Sequence, residues 1–222
     1  MYRKSNKLLS LIFVLAVMIL IITFSIGLPI YVRPFYYAHI ELLNMEEWGL
    51  DSEYIIEAYD EILDFLTLEG REFGAGILPY SEEGKGHFED CKVLFDLNRN
   101  AFIVSLGIVV LLLFLNAIKV IKLAKPFGFR LSLCAGVGTL LLFATLAALV
   151  AQDFSSAFTV FHKIFFPGKD NWLFDPYKDP IIIFMPQQFF MNCAILICAS
   201  ILLISVILII RGVKKKAKDD LN

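Results

Sequence analysis

Two of the three histidines in this chain, His87 and His162, stand in settings suited to chemistry. His162 lies in FTVFHKIFFPGKDNWLFDP, residues 158–176. Phe158, Phe161, His162 and Phe165 recur there at i, i+3, i+4 and i+7, the spacing of one helical face, so the phenylalanines would press the histidine against an apolar surface. Pro167 and Gly168 stop that helix, and KDNWLFDPYKDP continues as a turn-rich hairpin. His87 opens HFEDCKVLFDLNRN, a second helical pattern with His87, Cys91, Leu94 and Asn98 on one face. An imidazole, with an ordinary pKa of about 6.5, is the side chain best suited to move a proton near neutral pH. Other hydrolytic chemistries are not written in the chain. It has no G-x-S-x-G nucleophile elbow and no H-E-x-x-H. The two histidines with Asp90, Asp170 or Asp175 fit no known zinc spacing. His39, among tyrosines and far from any glycine turn, reads as an interfacial side chain.

The elements that must position these residues follow from composition. Of 222 residues 58% are hydrophobic and only 19% charged, which points to a membrane protein. Apolar residues collect in four runs, 8–30, 101–123, 131–151 and 189–210, each close to the ~20 residues a helix needs to cross a hydrocarbon core. Lys119 and Lys122 shorten the second run and are expected to snorkel from a helix end. The first run is followed by PIYVRPFYY without a small-x-small cleavage site, so it reads as an uncleaved helix. Twelve of the 20 basic residues fall before the first run, between the second and third, and after the fourth. Of 22 acidic residues only Asp219 and Asp220 share that side. By the positive-inside rule both termini are cytoplasmic. The expected fold is an all-α membrane protein, a four-transmembrane-helix bundle with a small, mainly helical extracytoplasmic domain. That domain spans 31–100. A cytoplasmic loop covers 124–130, an extracytoplasmic loop with an interfacial helix covers 152–188, and a basic cytoplasmic tail covers 211–222. Cys91, Cys134, Cys193 and Cys198 have neither metal nor disulfide-framework spacing.

Within 31–100, DSEYIIEAYDEILDFLTLEG predicts an amphipathic helix. Asp51 or Ser52 caps it, Ile55, Tyr59, Ile62, Leu63 and Leu66 share its apolar face, and Gly70 ends it. The carboxylates opposite read as a solvated surface, and Gly74 and Gly76 as a bare G-x-G anion nest. No glycine or proline separates His87 from the second apolar run. A continuous helix would therefore lift His87 about 20 Å above that run, and action at the membrane surface would require a bend near 97–100.

LPYSEEG before HFEDCKVLF, FHKIFFPGKDNWLFDP leading into IIIFMPQQFF, and AYDEILDFL together resemble the lipoprotein intramolecular transacylases of low-GC Gram-positive bacteria. The resemblance covers almost the whole chain. It implies an acyltransferase of the bacterial cell membrane that moves the sn-2 acyl chain of a diacylglyceryl-cysteine lipoprotein onto the α-amine of that cysteine, giving a lyso-form lipoprotein. By motif match it implies catalytic roles for His87 and His162 at the outer leaflet. Phe158, Phe161, Phe165 and Trp172 are candidates for substrate binding, and Asp170, Asp175 and Tyr59 for support. Such chemistry needs a base for the amine and a donor for the oxyanion, which the histidines or backbone N–H groups can supply. It calls for no cofactor and no metal. Diacylglyceryl lipoproteins and membrane lipid are the implied partners, and nucleic acid is not one. Which histidine is the base stays open. The rival expectation is a non-enzymatic membrane protein whose acidic outer domain binds a partner or senses a ligand.

Overall fold

The computed structural model describes residues 6–125 and 130–220, and among them no strand forms. Helices α1 (Lys7–Tyr31), α2 (Arg33–Leu42) and α3 (Ser52–Thr67) come first, with a 3-10 turn at Met45–Trp48 between the last two. Then follow α4 (Glu82–Ala117), α5 (Leu131–Gln152), α6 (Phe154–Phe165), α7 (Ile181–Phe184) and α8 (Gln187–Asp220). Among the described residues three helices are long and apolar enough to cross a membrane: α1, α4 and α8 as far as Val213. Helix α5 is apolar over Leu131–Ala144.

Helix α4 departs most from the sequence expectation. It begins at Glu82 and stays unbroken through 97–100, because nothing in DLNRN breaks a helix. It ends at Ala117, short of the expected 123. Beyond it Asn116 Oδ1 accepts the N–H of Leu123 at 3.1 Å and Lys119 takes a left-handed φ of +59°. Lys119 and Lys122 therefore lie past the helix end. Helix α8, in turn, continues past 210 through the basic residues to Asp220.

The chain divides into two compact units, 1–26 with 99–148 and 196–222, and 27–98 with 149–195. The first packs through small residues. Ser10, Ala135, Thr139 and Ser205 are fully buried, and a Cβ on Gly136 would come within 2.7 Å of the Ser205 carbonyl oxygen. Helices α5 and α8 thus meet nearly backbone to backbone, the contact that small residues allow in lipid-facing bundles. Ser10 Oγ donates to Asn6 O (2.8 Å) and accepts from Ala124 N (2.6 Å).

The second unit has one hydrophobic core, in which the predicted face of α3 is buried at every position. Tyr36 of α2 stacks on Tyr59 of α3 with ring centroids 3.6 Å apart, and Phe189 of α8 meets Tyr36 edge-on at 5.1 Å. Tyr36 OH donates to Phe184 O (2.8 Å), tying α2 to α7. Neither Asp51 nor Ser52 caps α3 with its side chain. The Glu46 carboxylate accepts the Ser52 N–H instead, at 2.9 Å. At the other end Lys92 Nζ donates to the Phe65 and Leu68 carbonyls, a cation where the helix dipole is negative.

The polar face of α3 is more than a solvated surface. Arg33 pairs with Asp60 (3.0 Å) and with Asp64, and Tyr37 OH donates to Asp60 at 2.9 Å. Gly76 N donates to Glu61 Oε2 at 2.8 Å, so the glycine turn holds a carboxylate of its own chain. His39 is buried as well: its Nδ1 donates to Phe35 O (2.6 Å) and its Nε2 accepts from Asn192 Nδ2 (3.0 Å). It is a satisfied core histidine rather than an interfacial one.

Candidate active site

Ser81 starts α4 by accepting the Gly84 N–H at 2.9 Å through its hydroxyl. That hydroxyl donates to Asp179 Oδ2, and Ser81 N donates to Asp179 Oδ1, each at 2.7 Å. The buried Asp179 carboxylate therefore sits at the positive end of the α4 dipole. A Cβ on Gly84 would overlap it, so this close approach requires glycine. One turn past His87, Asp90 receives Lys169 as an ion pair and Asn171 Nδ2 at 3.2 Å. The loop after α6 is thus pinned to α4 near both its ends.

This pinning brings the two histidines together. Their ring centroids are 5.7 Å apart, and both side chains are buried, 5% exposed for His87 and 6% for His162. On α6, capped by Asp153 accepting the Ser156 N–H (3.1 Å), His162 Nδ1 donates to Phe158 O at 2.7 Å. A carbonyl only accepts, so Nδ1 carries the proton and Nε2 presents its lone pair. Trp172 stacks on this ring at 4.7 Å and 27°. His87 meets Phe166 at 4.9 Å and Phe174 at 5.5 Å, both edge-on. Its Nε2 lies 3.4 Å from Cys91 Sγ, and its Nδ1 is buried with no hydrogen-bond partner.

Burial disfavours the charged form of both rings. Burial first, then unfavourable coupling to a second imidazole, His162, and to the Lys169 ammonium, push His87 down to about 4 against the partial support of Asp90. Burial also lowers His162, while the bond to Phe158 O pulls the other way. Burial pushes the Cys91 thiol up to about 12, so it remains S–H. For Asp90, burial alone would raise the carboxyl, but Lys169 and Asn171 outweigh it and hold the group below its usual range.

The candidate residues separate accordingly. Phe158 and Trp172 face His162, and Phe161 meets it edge-on at 5.4 Å. Phe165 points away and is 48% exposed, because the turn Phe166–Gly168 rolls the next phenylalanine inward instead. Tyr59 belongs to the Tyr36–Phe189 core. Asp170 and Asp175 are exposed, and Asp175 Oδ1 accepts the Tyr177 N–H in a local turn. Asp90, Asn171, Asp179, Phe166 and Phe174 complete the surroundings without having been singled out for it. Phe166 stands four residues after His162, as Phe158 stands four before, so extending the face by one position would have found it. The others depend on contacts between residues 79 to 98 positions apart.

Apolar helices of membrane-crossing length, together with a buried pair of histidines walled by aromatic rings, describe a membrane-integral protein. The family model for lipoprotein intramolecular transacylase Lit matches residues 11–190, and the chain belongs to that family, whose function is intramolecular acyl transfer on lipoproteins. Among solved structures it is similar to the membrane integral lipoprotein intramolecular transacylase Lit from Bacillus cereus. The TM-score is 0.86, with 24% identity over 97% of each chain. Two further structures of that protein carry a histidine replaced by arginine or by alanine. Each superposes with a TM-score of 0.77 at 25% identity, over 96% and 95% of this chain and 93% and 94% of theirs. No curated protein matches the chain by sequence.

Proposed function

We propose that the chain moves the sn-2 acyl group of a diacylglyceryl-cysteine lipoprotein onto the α-amine of the same cysteine, with His162 as general base and His87 as hydrogen-bond donor. The observation that carries this reading is the complementary state of the two rings. His162 has its Nε2 lone pair free, because Nδ1–H is engaged by Phe158 O. His87, held near 4, is a weak base. In the tautomer this reading assigns, the Cys91 S–H donates to its Nε2 and the proton sits on Nδ1, which has no partner. The neutral amine adds to the ester carbonyl, and Nδ1–H of His87 stabilises the oxyanion. Nε2 of His162 takes the proton from the adduct nitrogen. As the carbon–oxygen bond to glycerol breaks, the same proton passes to the departing sn-2 oxygen, leaving an amide and a free hydroxyl. Both reacting groups belong to one substrate, and holding them in line contributes roughly 7–11 kcal/mol.

The membrane arrangement is part of the proposal. Helices α1, α5, α8 and the apolar stretch of α4 that begins at 101 form a four-helix bundle, with both termini cytoplasmic and the histidines on the extracytoplasmic side. Because α4 is unbroken, His87 stands about 20 Å along it from that stretch, and the glyceryl ester is drawn up to it. The charge asymmetry of the loops supports this. Phe161, Phe165 and their exposed neighbours Val160 and Ile164 give α6 an apolar surface suited to acyl chains. The test is expression in a host that makes diacyl lipoproteins, followed by mass spectrometry of a lipoprotein N-terminus. An N-acyl, S-monoacylglyceryl cysteine is expected. An unchanged diacylglyceryl cysteine with a free amine would overturn the assignment.

A further inference from the structure

Asn171 is placed as if to read a group that is not part of the protein. Its Nδ2 donates to Asp90 Oδ2, and a carboxylate can only accept, so the amide cannot be turned the other way. The other oxygen of Asp90 is occupied by Lys169, which fixes the carboxylate in turn. Asn171 Oδ1 is therefore an oriented acceptor, and it is buried without a partner. A buried carbonyl oxygen left unpaired is costly and uncommon. Its position is specific. A Cβ on Gly86, the residue before His87, would lie 3.7 Å from the Asn171 amide nitrogen. Trp172, the residue after Asn171, stacks on His162. Asn171 thus sits against the neighbours of both histidines, in a centre whose His87 Nδ1 is also unpartnered.

We propose that Asn171 is the amine-binding residue of the site, its Oδ1 accepting one N–H of the substrate's α-amine. This rests on the transacylase reading. The bond would orient the nitrogen so that its lone pair faces the acyl carbonyl while a second N–H remains for the base. A neutral amide suits that task better than a carboxylate. A carboxylate beside the amine would favour the ammonium form, which has no lone pair to attack with. Asp90, one bond further back, polarises the amide without meeting the amine itself.

The test is affinity, with no reaction involved. The ligand is a dialkylglyceryl-cysteine peptide in which ethers replace both esters, and its partner is the same peptide with the α-amine replaced by hydrogen. Both are titrated against the full chain in detergent near pH 9, above the ordinary amine pKa of about 8. The wild type should prefer the amine by about tenfold, the scale of one buried hydrogen bond. Asn171→Leu should erase that preference while still binding the deaminated peptide, and Asn171→Gln, which keeps both the amide donor for Asp90 and an acceptor, should retain part of it. If Asn171→Leu does not fold, Asn171→Ala carries the same expectation. A wild type without preference, or an undiminished preference in the variant, overturns the role of Asn171 and leaves the transacylase reading standing. Failure of both peptides to bind the wild type overturns both.

Discussion

His87 and His162 are buried residues as well as the proposed donor and base, and each role has its own consequence. Both are buried among aromatic rings, so replacing either by alanine removes packing along with chemistry. Alanine at either position is expected to lower product formation by about 10²–10⁴-fold, and the double variant should be scarcely worse, because groups acting as a unit are not additive. Product yield normalised to folded protein checks this. The buried, neutral state of His87 also predicts a pH dependence of stability. Its folded pKa, about 4, lies below the ordinary 6.5. Stability should therefore be flat above pH 6.5 and fall between pH 6.5 and 4, where the unfolded chain takes up a proton that the folded one refuses. The loss amounts to at most about 3 kcal/mol. Thermal unfolding against pH should show it, and His87→Phe should flatten the curve. His39 carries a structural prediction instead. His39→Ala breaks the bonds to Phe35 O and Asn192, and should lower the melting temperature while sparing acyl transfer per folded molecule.

At the scale of elements, the site depends on the loop after α6 being pinned to α4. Gly84→Ala forces a methyl group into the Asp179 carboxylate. It should cost roughly 1–3 kcal/mol of stability, the usual penalty of overpacking, read as a lowered melting temperature. Phe166 and Phe165 are adjacent in sequence and opposite in environment. Phe166→Ala should destabilise by about 3–5 kcal/mol and weaken catalysis. Phe165→Ala should leave the melting temperature nearly unchanged and raise KM for the lipid substrate. This contrast marks what the sequence could and could not disclose. The apolar face of α3 was legible because helical periodicity is a local property of the chain. The histidine segments were legible because their motifs are contiguous. Asp179 was indistinguishable from other surface carboxylates and Asp90 invited only a metal-ligand reading, since their meaning comes from Lys169, Asn171 and Ser81 on distant segments. The end of α4 was misplaced because Lys119 and Lys122 fit a snorkelling helix terminus equally well, and the Asn116 side chain that turns the chain gives no periodic signal.

For the molecule as a whole, the length and apolarity of the helices fit a membrane protein, and both histidines of the proposed site fall in one of its two compact units. A reporter fused to the C-terminus should register as cytoplasmic. One inserted at Gly70, an exposed left-handed turn with open space around it, should register outside; an external signal from the C-terminal fusion would contradict the four-crossing arrangement. The proposed acyl transfer depends most directly on one ring nitrogen, Nε2 of His162. His162→Phe keeps an aromatic ring against Trp172 and Phe158 while removing the Nε2 lone pair. The decisive measurement is the initial rate of N-acyl product formation from a diacylglyceryl-cysteine lipopeptide by the purified full chain, followed by mass spectrometry, with thermal unfolding recorded in parallel. The prediction is a fall of about 10²–10⁴-fold in a protein that remains folded, whereas a rate within about threefold of the wild type would contradict the assignment of His162 as the base.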